Sequence, residues 1–152
     1  MKGFKIYFLL CGQFDILHEG YHDPHYCINE APSLITGIVI IGGIVIFREI
    51  TSTLELQYAD WQATKFRRGD FLTRHIDNVP GETKRIAYVL GLTEDWHPDW
   101  GGLLQFFEKD GTPTRSWSSA INSLILFNVD KVHSVRPFAL KNRYSITGWF
   151  RR

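Results

Sequence analysis

The sequence predicts an all-β core, a sandwich or jelly roll, preceded by an atypical N-terminal segment. Three observations lead there. Aromatic residues make up 14% of the chain, and Val, Ile, Phe and Trp are plentiful, the side chains that suit a pleated, half-buried surface. Beyond about residue 51, short apolar runs recur at close intervals. Between them stand Gly, Pro and Asp clusters, each of which supplies turn geometry.

The 152 residues suit a single core. A net charge of +1 gives no footprint for nucleic acid. Cys11 and Cys27 are the two cysteines, too few for a disulfide framework, and are read as reduced thiols in a cytoplasmic compartment.

Taken in order, residues 1–50 are aromatic, interrupted by glycine and without clear periodicity, and residues 51–152 form the predicted β domain. "MKGFKIYFLLCG" has lysines before an apolar run, but the run is short and lacks a cleavage site of the export type. "LITGIVIIGGIVIF", residues 34–47, falls below the ~20 apolar residues a membrane-spanning helix needs, and its Ile and Val favour buried strands; no membrane role is expected. "HEGYHDPHYC" carries His18, His22 and His25, but Gly20 and Pro24 oppose a helix that would align them, so a polar loop is expected.

"WQATKFRRGDFLTRHID" is expected to form a hairpin with Arg68-Gly69-Asp70 at its turn. "NVPGETK" is a loop around Pro80-Gly81, and "RIAYVLGL" is a strand. "TEDWHPDW" is a polar connection and "GGLLQFF" a strand. "EKDGTPT" is a turn at Asp110-Gly111, "NSLILFNV" a buried strand, and "NRYSITGWF" the last strand.

Chemistry concentrates in three places. In a strand, residues two apart share a face, so His75 and Asp77 in "RHIDN" are expected to point the same way. His133 in "VDKVHSV" follows a buried strand and supplies a second imidazole. Two histidines and one carboxylate make the facial set of non-haem Fe(II) oxygenases. Arg143 stands ten residues later. Alternation puts it on one face with Ser145, Thr147 and Trp149, where an inward guanidinium needs an anion.

These residues, in this order, resemble the Fe(II)- and 2-oxoglutarate-dependent dioxygenases of the prolyl-hydroxylase type, over about residues 58–152. "KRIAYVLGLTEDWHPDWGGLLQFF" and "SITGWF" look most like the prolyl hydroxylases that act on a ribosomal protein. The resemblance implies a double-stranded β-helix, or jelly roll, with Fe(II), 2-oxoglutarate and O2 as cofactor and cosubstrates and ascorbate as an optional reductant. It implies Fe(II) held by His75, Asp77 and His133, and the distal carboxylate of 2-oxoglutarate held by Arg143 with Thr147. Leu104 would line that pocket and Trp149 close its floor. The implied reaction hydroxylates an aliphatic C–H of a protein prolyl residue and releases succinate and CO2.

Two departures stand out. Relatives often carry tyrosine nine residues before the first ligand, where this chain has Phe66; Tyr88 is the residue expected to compensate. Residues 1–48 do not look like the relatives' N-terminal helices and strands. Two rival readings remain at this point: a non-catalytic jelly-roll binding module, and a hydroxylase of a free amino acid or other small molecule.

Overall fold

The computed structural model describes residues 5–9, 47–49, 51–137 and 140–152. The His18/His22/His25 stretch, both cysteines and nearly all of the 34–47 run lie outside the described residues. Among those described, no helix is long and apolar enough to cross a membrane.

Nine strands form among the described residues: β1 (Lys5–Leu9), β2 (Tyr58–Phe66), β3 (Leu72–His75), β4 (Lys84–Gly91), β5 (Leu104–Phe107), β6 (Pro113–Trp117), β7 (Ser123–Asn128), β8 (His133–Val135) and β9 (Arg143–Arg151). One sheet has the order β1-β7-β4-β9-β2 and the other β3-β8-β5-β6. β1 joins β7 in parallel, and every other strand pairing is antiparallel. The two mainly antiparallel sheets form the expected jelly-roll core. β1, from the segment expected to stand apart, is an edge strand of the larger sheet.

Side-chain alternation divides the apolar residues between two layers. Phe66, Ala87, Val89, Ile125 and Phe127 of the larger sheet pack with Leu104, Phe106 and Val135 of the smaller one, so this cluster fills the space between the sheets. Ile86, Tyr88, Leu124, Leu126, Ile146 and Phe150 lie on the opposite face of the larger sheet with Phe47 and Leu56. β4 and β7 are thus covered on both faces, which is why they read as continuous apolar runs.

The expected hairpin across Arg68-Gly69-Asp70 is corrected. The turn forms, with the Asp70 amide donating to Arg67 O at 3.0 Å and the Arg67 amide to Asp70 Oδ2 at 2.7 Å. Gly69 supplies the left-handed backbone at φ 89°. However, β2 pairs with β9 and β3 with β8, so the turn carries the chain from one sheet to the other. The predicted "EKDGTPT" turn does join a hairpin, β5 to β6.

Candidate active site

β3 and β8 are antiparallel neighbours, and their register sets His75 directly opposite His133. The two rings stand 4.2 Å apart. β3 ends at His75, so Asp77 does not reach the site through strand alternation, as the sequence suggested. It sits in a bend just beyond the strand. There the amides of Asp77 and Asn78 both donate to Val129 O, at 2.9 and 3.2 Å. Asn78 Nδ2 also donates to Asp130 Oδ1 at 2.6 Å. The loop after β7 therefore clamps the bend and turns the carboxylate toward both imidazoles.

His75, Asp77 and His133 offer ligand atoms that all lie within 4.8 Å of one another. Asp77 Oδ1 is 3.6 Å from His75 Nε2, and Oδ2 is 3.7 Å from His133 Nε2. These separations are too long for hydrogen bonds and suit three donors arranged around one cation. The tautomers fit as well. His75 Nδ1 is 2.8 Å from Thr73 O, and His133 Nδ1 is 2.8 Å from Lys131 O. A carbonyl only accepts, so each Nδ1 carries a proton, and in the neutral imidazole this leaves each Nε2 with the lone pair on the side of Asp77. The two histidines repeat one device: a ring tied to the carbonyl two residues earlier. Phe127 and Phe106 pack on the His133 ring at 4.7 and 6.0 Å, walling that side with apolar surface.

The inner face of β9 holds the second feature. Arg143 is 1% exposed. Its Nη1 donates to Ser145 Oγ at 3.1 Å, and its guanidinium lies over the Phe66 ring at 5.1 Å. Nε and Nη2 are buried with no hydrogen-bond partner. Burial pushes the guanidinium down to a pKa of about 10. Thr147 Oγ1 and Trp149 Nε1, on the same face, are also buried without a partner. Orphaned buried donors are rare and costly; a row of them facing the space between the sheets suits a bound anion with several acceptor oxygens. Lys84 Nζ covers the Trp149 ring at 4.3 Å and pairs with Glu82 at 3.0 Å.

The inner row of the larger sheet relates the two features. Register places Trp149 beside Ala87, and Ala87 beside Phe127, whose ring touches His133. Arg143 lies at the other end of β9. Leu104, 2% exposed, pairs with Val135 in the same inter-sheet layer. Tyr88 is not brought to this space, and its expected role is corrected. It lies on the opposite face of β4 among Phe150 and Ile146, where its hydroxyl donates to Asp60 O at 2.9 Å. Among the described residues, no tyrosine hydroxyl replaces the one that Phe66 lacks at Arg143. Trp96 and Trp100 meet edge to face at 6.3 Å, and Lys141 Nζ covers Trp100 at 4.4 Å, so both rings are engaged within the loop. A groove of about 550 Å3 lined by Arg68, Leu92, Leu140 and Tyr144, among others, contains none of the candidate ligands.

Comparison with known proteins agrees with this geometry. The sequence model of the 2OG-Fe(II) oxygenase superfamily matches residues 61–151. The chain is similar to mouse prolyl 3-hydroxylase OGFOD1, 34% identical over 100 residues covering 60% of this chain and 18% of that protein. It is similar to human Egl nine homolog 1, 29% identical over 85 residues covering 54% of this chain and 20% of that protein. A Pseudomonas putida prolyl-4-hydroxylase superposes with a TM-score of 0.68 at 26% identity, covering 86% of this chain and 70% of that one. The chain thus spans about a fifth of the length of the curated relatives it matches.

Proposed function

The chain belongs to the 2OG-Fe(II) oxygenase superfamily, and from that premise we propose that it is a dioxygenase hydroxylating an aliphatic C–H of a protein prolyl residue. Fe(II), 2-oxoglutarate and O2 are the cofactor and cosubstrates of this family. The single observation that carries the reading is the convergence of His75, Asp77 and His133 in a fold whose opposite wall presents a buried guanidinium with an open edge.

The roles proposed for the residues follow from their chemistry. His75 and His133 give neutral nitrogen lone pairs, and Asp77 gives a charge that offsets part of the metal's. Three ligands on one side leave positions for the keto acid and for O2. Arg143 presents two N–H groups to the distal carboxylate of 2-oxoglutarate, a planar fork matching a planar anion. Thr147 adds a hydroxyl donor beside it. Leu104, Phe106 and Phe127 keep water from this side, which strengthens each electrostatic contact. When bound, iron and 2-oxoglutarate supply the oxidising power: one oxygen atom of O2 enters the C–H bond, and the other leaves in succinate, with CO2 released. The protein's contribution is to hold the metal, the acid and the substrate C–H in register.

A prolyl residue as substrate is supported by the names of the relatives, prolyl hydroxylases in two of the three cases. A cytoplasmic location is part of the proposal and rests on the two-cysteine composition. The test is anaerobic addition of Fe(II) and 2-oxoglutarate, followed by air. A visible charge-transfer band should appear first, then succinate, with a mass gain of one oxygen on a proline-containing peptide. His75→Ala should abolish both signals. A folded protein that gives no band would refute the reading.

A further inference from the structure

The orientation of Arg143 raises a separate question. A guanidinium on a flexible stem has five donors and several rotations, yet here two particular groups, Nε and Nη2, are left open. These lie on one edge of the guanidinium, the side-on fork that takes a carboxylate with two parallel hydrogen bonds. The remaining nitrogen is held by a small hydroxyl assembly. Arg143 Nη1 donates to Ser145 Oγ at 3.1 Å. Ser145 Oγ is 2.7 Å from Thr64 Oγ1, and Thr64 Oγ1 donates to Ser145 O at 3.1 Å.

The proton order follows. Arginine only donates, so Ser145 Oγ accepts from it. Thr64 has one hydroxyl proton, and its donation to Ser145 O leaves Thr64 Oγ1 as the acceptor for the Ser145 hydroxyl. Ser145 then gives its one proton to Thr64 and accepts from Arg143 with one of its two lone pairs. With its proton turned toward Thr64, the Ser145 hydroxyl keeps an oxygen lone pair aimed at Nη1 and holds that nitrogen in place. Thr64 and Ser145 are 8% and 1% exposed and face each other in the β2–β9 register, so solvent does not disturb the order. Phe66, two residues further along β2 and opposite Arg143, supplies the flat surface on which the guanidinium rests.

We propose that Thr64, acting through Ser145, is a positioning residue that fixes the rotation of Arg143 and so presents its Nε/Nη2 edge to the distal carboxylate of the cosubstrate. This rests on the Arg143 role stated under Proposed function. It assigns specificity for a dicarboxylic 2-oxo acid to a β2 hydroxyl that need not touch the ligand.

The experiment compares 2-oxoglutarate with 2-oxobutanoate, which keeps the keto-acid end and lacks the distal carboxylate, by calorimetric titration of the Mn(II)-loaded protein. Thr64→Val keeps the shape and removes the hydroxyl. It should weaken 2-oxoglutarate about fivefold, the worth of one neutral hydrogen bond, and leave 2-oxobutanoate unchanged. Thr64→Ser restores the hydroxyl and should restore the affinity. Ser145→Ala, which removes the middle of the relay, should show the same selective loss and stands in should Thr64→Val not fold. Unchanged 2-oxoglutarate affinity in both hydroxyl-deletion variants would overturn the proposal. Equal weakening of both ligands would also overturn it, because a general packing defect does not select for the second carboxylate. Equal affinity of the unaltered protein for the two acids would instead remove the parent reading of Arg143.

Discussion

Replacing Arg143 by methionine should make the ligand-free protein more stable while abolishing its response to 2-oxoglutarate. The guanidinium is fully buried, and burial alone pushes it down from 12.5 to about 10. Converted at 1.36 kcal/mol per pH unit, the charged form is disfavoured by about 3 kcal/mol. Against this stand the Ser145 hydrogen bond and the Phe66 contact, each worth about 1 kcal/mol. Methionine fills similar space without charge, so the net gain should be about 1 kcal/mol, or roughly 2–4 °C in Tm for a chain of this size. The sign has a pH window. A base whose folded pKa lies below its unfolded value carries its full cost below about pH 10, and the cost is lifted as pH rises through that value toward the unfolded one. At pH 7–8 the whole difference is therefore present. Thermal unfolding of both proteins, with and without 2-oxoglutarate and Mn(II), measures it. The unaltered protein should gain stability on ligand addition and Arg143→Met should not. A variant less stable without ligand yet equally stabilised by it would refute the reasoning.

Other outcomes follow from the same geometry. Asp77→Ala should lower metal affinity by at least tenfold, judged by titration with Fe(II) or Mn(II), because the two imidazoles lose their shared anionic partner. Gly148→Ala should cost about 2–3 kcal/mol in urea unfolding, since a Cβ there meets Asp60 O and the Tyr88 hydroxyl. Tyr88→Phe should cost about 1 kcal/mol through the lost bond to Asp60 O and leave the KM for 2-oxoglutarate unchanged; a raised KM would return Tyr88 to the site.

Local signals in the sequence located the strands well. Apolar runs such as Ile86–Val89 and Ser123–Phe127 are buried on both faces, and that burial leaves a plain compositional trace. Pairing left no such trace. The Arg68-Gly69-Asp70 turn looks the same whether the chain returns to its neighbour or crosses to the other sheet, and the partner of β2 is some eighty residues away in β9. Without that pairing, Thr64 could not be connected with Ser145. β6 escaped because Pro113 opens it and it is largely exposed, so no alternation is visible. Parity could not place Tyr88, since a run apolar on both faces gives no hint of which residues point inward. The candidate ligands were recognisable because His-x-Asp, a distant His and an Arg survive as an ordered set. The convergence of Asp77, though, depends on Val129 O and Asp130, a clamp with no sequence signature.

The short strand β3 is the outermost member of its sheet, four residues long, with an irregular register against β8. Such a margin is the first place to fray. Yet its last residue sits face to face with His133, so an ion bound by both would rivet the loose border to the strand inside it. Metal loading would then be a mechanical event as well as a chemical one. Amide exchange across Leu72–His75 should slow when Mn(II) is added, and the rim from Asp77 to Glu82 should stiffen with it.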